Sequence, residues 1–318
     1  MMIRRRGNTH RMKKMILGTN VTNGLLGKIA IYAILIVLSF VFIFPLINMI
    51  TVGLMSNLDL ADHSIEWIPS EFYLENFRLT WRALRLPGSY FTTVLVAGVS
   101  TVCLMLSSAL IAYGLARFQV PFKFLIFSLL LFTYLAPKVL FFIPRYQLFT
   151  TFGLSGNMGA LIFPALMGQG EQAALFILIF YQFFKMIPTA LEEAAFLDGA
   201  GAFKTFYKIA LPMVRPAFVI VGIYAFALYW NETLLTSFYL EGNIQTTPML
   251  LNSLESQFNN VVNNTATLGD PGTNPNLSYT EAVAYSGTIL SIFPLIFFYV
   301  FVQKWFVESI DKSGITGE

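Results

Sequence analysis

Cysteine and charged residues are scarce in this sequence of 318 residues. Cys103 is the single cysteine, so an intrachain disulfide and a cysteine-based metal site are both excluded. The 20 lysine and arginine residues and the 17 aspartate and glutamate residues together make up 12% of the chain. Because a soluble domain of this length needs more charge to cover its surface, the composition excludes an ordinary soluble protein.

Motifs that would bind a nucleotide or perform catalysis are also missing. A phosphate-binding loop of the form GxxxxGK[ST] does not occur: the nearest match, Gly27-Lys28, lacks the upstream glycine and is followed by Ile29. The sequence has neither a GxSxG elbow nor an HExxH pair, and its two histidines, His10 and His63, lie far apart. We therefore expect no catalytic residue, no metal site and no cofactor in this chain.

Long uncharged runs are what the sequence has in abundance. Residues 29–58 and 86–116 contain no Asp, Glu, Lys or Arg. Each run exceeds the roughly 20 residues that a transmembrane helix requires, and backbone groups in lipid must form their hydrogen bonds within the segment. With four further apolar segments they predict an all-α integral membrane protein with six spans, at residues 29–55, 89–116, 124–143, 160–187, 217–238 and 285–303.

Basic residues are distributed unevenly among the connecting segments. If the N-terminus is inside, 15 of the 20 lysine and arginine residues fall in inner segments and 4 in outer loops. This positive-inside bias predicts that both termini are cytoplasmic. The connecting segments are then a cytoplasmic N-terminal segment at 1–28, a cytoplasmic loop at 188–216 and an extracytoplasmic loop at 239–284. Many Asn, Gly and Pro residues in the last of these predict irregular structure.

The loop at 188–216 has the pattern of two short helices joined by a turn. Pro188 suits the first turn of a helix, and Glu192 and Glu193 then lie near the positive end of the helix dipole. Gly199 permits a sharp turn. The first helix would present a small apolar face of Leu191, Ala194 and Ala195, and the second an apolar stripe of Phe203, Phe206, Tyr207 and Leu211. Such a surface suits docking into a groove of a partner.

The fixed residues of this loop carry a family resemblance. Glu193-Ala194-Ala195 is followed by three residues and Gly199, then by nine residues, Ile209, one residue and Leu211-Pro212. This spacing resembles the signature of permease subunits of bacterial binding-protein-dependent ABC importers. The resemblance implies the six-helix architecture of type I ABC importer permeases and a place in the bacterial cell (inner) membrane.

Motifs elsewhere resemble the carbohydrate, maltose-transporter-type branch of these permeases. They are Phe72–Phe77, Leu197–Ala200, Tyr229–Glu232 and, in the tail, Gln303, Phe306, Val307, Gly314 and Gly317. Two features depart from the branch, a longer outer loop after the fifth span and Ser313 where glycine is common. The resemblance implies that the cargo is a sugar or oligosaccharide.

The resemblance also implies the partners and the site that contacts them. They are a second permease subunit, two ATPase subunits that hold ATP and Mg, and an extracytoplasmic substrate-binding protein. ATP hydrolysis would belong to the ATPase subunits, so this chain would not be an enzyme, and no nucleic acid is involved. The residues implied to couple it to an ATPase subunit are Glu192, Glu193, Ala194, Ala195, Asp198, Gly199 and Ala200.

Ionisable residues within the spans indicate a second site. A helical rise of ~1.5 Å per residue places Lys138, Glu171 and Glu232 in the outer half of their spans. Because burying a single charge in a bilayer is costly, we expect Lys138 and Glu232 to pair, although long side chains can also reach the interface separately. The predicted substrate path or outer gate comprises Lys138, Glu171, Tyr181, Tyr229, Trp230, Asn231 and Glu232.

Three other functions remain open at this point. An ABC permease for a non-sugar solute would carry the same loop signature. A secondary transporter that works without ATP is opposed by the docking loop and by the lack of an internal repeat. A membrane enzyme is opposed by the missing catalytic groups.

Overall fold

The structure, a computed structural model, describes residues 24–267 and 278–312. Residues 1–23 of the predicted N-terminal segment and the tail residues Ser313, Gly314 and Gly317 lie outside this range. Within it, every regular element is a helix. In chain order we number them α1 Leu25–Gly53, α2 Asn57–Ala61, α3 Glu75–Ala83, α4 Gly88–Arg117, α5 Lys123–Leu135, α6 Phe142–Thr151, α7 Gly159–Leu166, α8 Ala173–Met186, α9 Thr189–Leu197, α10 Ala202–Met213, α11 Arg215–Asn231, α12 Leu234–Leu240, α13 Thr247–Asn252, α14 Leu254–Thr267 and α15 Glu281–Lys312.

The helices are long and apolar enough to account for the predicted spans. Three of them, α1, α4 and the Glu281–Glu308 part of α15, could each cross a membrane alone. Three further pairs pass the same test together but are bent: Lys123–Leu135 with Lys138–Thr151 by 99°, α8 with α9 by 74°, and α10 with α11 by 76°. The described residues therefore hold up to six spans, which confirms the predicted class, an all-α multi-pass membrane protein.

The chain divides into two compact units, Met1–Asn76 with Thr280–Ser286 and Phe77–Tyr279 with Gly287–Glu318. In the first unit, α1 leaves nearly all of its apolar side chains exposed, as a lipid-facing helix does. The side-chain amide of Asn76 donates hydrogen bonds to the carbonyls of Gly53 and Met55, at 3.1 and 2.9 Å. These bonds satisfy carbonyls that the end of α1 leaves without helical partners.

In the second unit, α4 is the central helix and packs on α7, α8 and α11. Its buried side carries small residues, which let helix backbones approach closely, the main source of helix association in membranes; these residues are Ala97, Ser100, Ser108, Ala109 and Ala112. Fully buried rings of Phe176, Phe180 and Phe184 on α8 complete this core.

The predicted span 160–187 is wrong as a continuous helix. The structure has α7 and α8 there, separated at residues 167–172. Gly168 and Gln172 have φ angles of +71° and +53°, a left-handed conformation that cannot continue a right-handed helix. The average hydrophobicity of the segment concealed this break, because its polar residues are few.

Neighbouring groups satisfy the backbone at this break. The Ser107 hydroxyl on α4 donates to the Ala165 carbonyl at 2.6 Å, and the Gln169 N–H donates to the Pro164 carbonyl at 2.7 Å. Irregular backbone at membrane depth is tolerated where protein groups supply such partners. The break is therefore a fixed feature of the fold and is attached to α4.

Two other predicted spans end early. The span 124–143 stops as a straight helix at Leu135, since Ala136 is extended and precedes Pro137, which disfavours helical conformation in the residue before it. The span 217–238 stops at Asn231, Glu232 is extended, and α12 then begins.

The predicted irregular loop 239–284 is wrong in its first half, where α13 and α14 are helical. Leu254, Phe258 and Val262, four residues apart, are all buried and form one face of α14. The many asparagines of this segment concealed that apolar periodicity.

Candidate functional site

The segment with the family signature, residues 188–216, forms the predicted helix–turn–helix. Helix α9 ends at Leu197 with Asp198 as its C-cap, and Gly199 follows with a φ angle of +78°. This left-handed conformation suits glycine. The N–H of Ala200 donates back to the Ala195 carbonyl at 2.9 Å, which closes the turn before α10 begins.

One face of α9 is turned into the protein. Glu192 and Ala195 are buried there. Arg117, the last residue of α4, places its Nε 2.9 Å from Oε1 of Glu192 and donates from Nη2 to the Ile187 carbonyl at 2.7 Å. The side chains of Arg117 and Glu192 are only 9% and 7% exposed. The sequence placed Glu192 among the partner-contacting residues and Ala195 on the apolar face with Leu191 and Ala194, but both point inward.

The opposite face of the segment is exposed. Glu193, Ala194, Asp198 and Gly199 are exposed, and Ala200 is half-buried. Large apolar side chains surround them, and Leu197 is 89% exposed. The other exposed apolar side chains here are Leu191, Phe196, Phe203 and Tyr207. An apolar patch of this kind, with two carboxylates, has the character of a docking surface.

The second helix of the segment is anchored by one aromatic side chain. The ring of Phe206 lies 4.8 Å from that of Tyr113 and 6.2 Å from that of Phe184, measured between centroids. Phe206–Ala210 form a π-turn, which shifts the phase of the helix by one residue. The predicted single stripe is therefore divided: Phe206 and Leu211 are half-buried, whereas Phe203 and Tyr207 are exposed.

A polar cavity adjoins the break between α7 and α8. Its volume is about 200 Å³, and α5, α6, α8 and α12 also contribute side chains to it. The side chains of its lining that can donate or accept hydrogen bonds are Thr133, Tyr134, Lys138, Arg145, Gln169, Glu171, Gln172 and Tyr239. This polar cavity lies in a region that the sequence treated as continuous spans.

Lys138 and Glu171 form an ion pair at the polar cavity. The Lys138 side chain is 53% exposed and that of Glu171 is 8% exposed. The sequence predicted Glu232 as the partner of Lys138. The structure instead has the Glu232 carboxylate accepting from the Leu235 N–H at 2.8 Å, where it caps α12. Lys138 and Glu171 are nevertheless near enough to interact electrostatically with the Glu232 carboxylate.

The remaining residues of the predicted substrate path do not line the polar cavity. Tyr229 is buried, and its hydroxyl accepts from the Glu171 N–H at 3.3 Å. Trp230 is buried and donates to the Ser291 carbonyl at 3.3 Å. The Asn231 amide donates to the Ala227 carbonyl at 2.9 Å. Their contacts are those of residues that support the fold.

Tyr181, also predicted for the substrate path, lies beside two lysines. Its ring centroid is 4.7 Å from that of Phe127. The Nζ atoms of Lys123 and Lys185 lie 5.1 and 5.9 Å from the same centroid. These are cation–π distances, and the structure does not bring Tyr181 together with Lys138 or Glu171 at the polar cavity.

Sequence reasoning missed six of the eight polar side chains of the polar cavity, among them Arg145 and Tyr239. Arg145 was assigned to an outer loop, although it is the only charge between Val139 and Glu171 in a markedly apolar stretch. That isolation is a signal, because a lone cation among apolar residues needs a polar environment. No comparable signal exists for Tyr239, whose position depends on the break after Asn231.

The family described as binding-protein-dependent transport system inner membrane component matches residues 108–312. Among individual relatives, the probable ABC transporter permease protein YurM of Bacillus subtilis (strain 168) is 27% identical over 92% of this chain and 90% of its own length. The melibiose/raffinose/stachyose import permease protein MelC of the same strain is 25% identical over 81% and 86%, respectively.

A solved structure shares the fold. It is the crystal structure of a bacterial ABC transporter involved in the import of the acidic polysaccharide alginate. The match has a TM-score of 0.66 at 20% identity and covers 88% of this chain and 96% of that chain. The predicted importer-permease architecture is thereby confirmed.

Proposed function

The chain belongs to the family of binding-protein-dependent transport system inner membrane components, and from this membership we propose that it transports a sugar or oligosaccharide. It would act as one permease subunit, driven by ATP that separate ATPase subunits hydrolyse. The other components would be a second permease subunit and an extracytoplasmic binding protein. ATP and Mg would be bound by the ATPase subunits, and this chain would have no catalytic role.

The observation that carries the proposal is the division of α9 into two faces. The inward face is held by the Arg117–Glu192 ion pair. The exposed face presents Glu193, Ala194 and Gly199, and no atom of the described residues would lie within 4 Å of a Cβ added at Gly199. We infer that this face docks on an ATPase subunit, where Glu193 would pair with a basic residue and the small residues would permit close approach.

Three of the predicted coupling residues have separate tasks in this proposal. Glu192 would hold α9 against Arg117 and would not touch the partner. Asp198 would contribute a second exposed carboxylate, and Ala200 would close the turn through its bond to Ala195. The docking surface would therefore move together with α4 when the ATPase subunits close.

The proposed cargo rests on the relatives and on the polar cavity. MelC is named for the import of melibiose, raffinose and stachyose, and the structural relative takes part in alginate import. The polar cavity offers hydrogen-bond donors and acceptors of the kind that sugar hydroxyls require. We propose that it lies on the substrate path and that the Lys138–Glu171 pair acts there as a gate.

The proposed orientation follows the distribution of basic residues. Both termini and the segment 188–216 would be cytoplasmic, and the segment 239–284 would be extracytoplasmic. The membrane would be the bacterial cell (inner) membrane. A cysteine introduced at Leu197, which is exposed, should then react with a membrane-impermeant thiol reagent only in inside-out vesicles.

Reconstitution tests the function directly. The chain, its second permease and its ATPase subunits would be placed in proteoliposomes with the binding protein, and uptake of labelled neutral and acidic oligosaccharides would be measured. We expect uptake of at least one sugar that requires both ATP and the binding protein. Uptake restricted to peptides, polyamines or inorganic anions would contradict the sugar assignment, and ATP hydrolysis by the purified single chain would contradict the division of labour.

A further inference from the structure

The strongest unexplained feature of the second unit is Arg145 on α6. Arg145 lines the polar cavity and also a neighbouring, mostly apolar cavity of about 590 Å³. Gln169 is the other residue that the two cavities share. Arg145 therefore borders both spaces, a position that a cargo passing between them would contact.

Arg145 has no hydrogen bond or ion pair with any residue of the described ranges 24–267 and 278–312. The carboxylates of this region are already engaged. Glu171 pairs with Lys138, Glu232 accepts from the Leu235 N–H, and Glu241 accepts from the Tyr146 hydroxyl at 2.7 Å. A half-buried cation among apolar residues is unfavourable without a partner, and the carboxylates of this region already have partners of their own.

Tyr239 supplies a second, independent observation. It lines the same polar cavity and is only 2% exposed. Its hydroxyl is buried without a hydrogen-bond partner in the described part of the chain, and the charges of Arg145, Glu171 and Glu232 all act on it. A buried donor without an acceptor is costly, and one added acceptor would satisfy it.

We propose that the Arg145 guanidinium and the Tyr239 hydroxyl bind an acidic group, a carboxylate or sulfonate, on the sugar that this chain transports. The proposal rests on the proposed function and narrows it to acidic sugars. The planar guanidinium donates two parallel hydrogen bonds to such a group, and the tyrosine O–H adds a third donor. Gln169 and the Lys138–Glu171 pair would then contact the sugar hydroxyls.

The test uses two disaccharides that differ in their acidic groups, digalacturonate and neutral galactobiose. Binding of each is measured on the assembled transporter in phosphatidylcholine nanodiscs. We expect digalacturonate to bind at least about tenfold more tightly than galactobiose, because a hydrogen bond to a charged group is worth about 1.5–3 kcal/mol, a factor of about ten or more. Arg145→Gln should remove this preference by lowering digalacturonate binding to the level of galactobiose.

Three variants control this result. Lys304→Gln removes an exposed cation that lines neither cavity and should change the binding of neither sugar. Arg145→Lys keeps the charge and loses the two-pronged geometry, so its effect on digalacturonate should be intermediate. Tyr239→Phe keeps the ring that packs 5.0 Å from Phe149 and should weaken digalacturonate binding about threefold to tenfold. The last two keep the proposal testable if Arg145→Gln does not fold.

Several outcomes would overturn the proposal. They are equal binding of the two disaccharides, binding of neither, or digalacturonate binding that Arg145→Gln and Tyr239→Phe leave unchanged. Inorganic phosphate binding as tightly as digalacturonate would assign the site to a free anion or a lipid headgroup, and the sugar assignment of Arg145 would fail. If only neutral sugars are bound and transported, this inference fails and the proposed function stands; if no sugar of either kind is transported, both fail.

Discussion

The two ion pairs of the second unit have similar chemistry and different surroundings. Arg117 and Glu192 are both almost fully buried, at 9% and 7% exposure, whereas Lys138 is 53% exposed beside a Glu171 that is 8% exposed. The first pair is closed to any ligand and also binds the Ile187 carbonyl. The second opens onto the polar cavity. The difference indicates that the first pair stabilises the fold and that the second is accessible from the polar cavity.

Breaking the buried pair should have the largest effect. Arg117→Ala leaves the Glu192 carboxylate buried without its partner, and we expect a loss of about 3–5 kcal/mol in the free energy of unfolding. Denaturant unfolding in detergent measures this loss. The matched control is Arg215→Ala, which removes an exposed cation near the end of the segment 188–216. It should change stability by less than about 0.5 kcal/mol. Equal effects of the two variants would mean that the buried pair is not structural.

Gly199 tests whether the exposed face docks on a partner. Gly199→Leu places a branched side chain at a φ of +78°, which costs about 1–2 kcal/mol. Inside the chain the added Cβ has no atom within 4 Å, so the new side chain would obstruct only a docked partner. We expect ATPase subunits to bind more weakly to this variant in pull-down measurements.

Gly199→Asn separates strain from bulk, because asparagine tolerates the left-handed region better than leucine. The asparagine variant should retain most of the ATPase binding. Equal loss in both variants would assign the effect to the turn itself and would count against docking at Gly199.

Adjacent glutamates sharpen the comparison between buried and exposed charge. Glu193→Ala should leave stability within about 0.5 kcal/mol of the parent and uncouple ATP hydrolysis from transport. Glu192→Gln should lower stability in the same direction as Arg117→Ala. Wild-type transport by Glu193→Ala would show that the exposed carboxylate has no coupling role.

The accessible pair should give the smallest effect. A double-mutant cycle on Lys138→Met and Glu171→Gln should give a coupling energy of about 0.2–1 kcal/mol in thermal unfolding, because solvent screens the exposed lysine. The same cycle with Lys138→Met and Glu232→Gln should give a coupling within about 0.3 kcal/mol of zero. A larger coupling to Glu232 would restore the pairing that the sequence predicted.

The signature segment was predictable from the sequence because its constraints are local. Helix α9, the turn at Gly199 and the start of α10 follow from residue types at fixed spacing. Which face of α9 turns inward was not predictable, since it depends on Arg117, which lies 75 residues before Glu192 in the chain. The predicted apolar stripe failed for a different reason, the π-turn at Phe206–Ala210.

The polar cavity was less predictable because it depends on interruptions of the spans. Hydrophobicity averaged over a span does not detect a break such as the one at residues 167–172. Once α7, α8 and α12 are placed, Arg145 and Tyr239 line the same cavity although they are far apart in sequence. Trp230 is buried and does not line the polar cavity, because a tryptophan at a span end can be buried as readily as it can face a cavity.

Helix α4 connects two distant parts of the second unit mechanically. Arg117 at the end of α4 hydrogen-bonds to Glu192 on α9. Ser107, about 15 Å away along the same helix, hydrogen-bonds to the end of α7 beside the break. A displacement of α9 would therefore be transmitted to the end of α7, because a hydrogen-bonded helix resists compression along its axis. The helix therefore transmits force between the two attachments. Softening it between them at an exposed position, as with Leu110→Gly, should leave both attachments intact while reducing the displacement that passes between them.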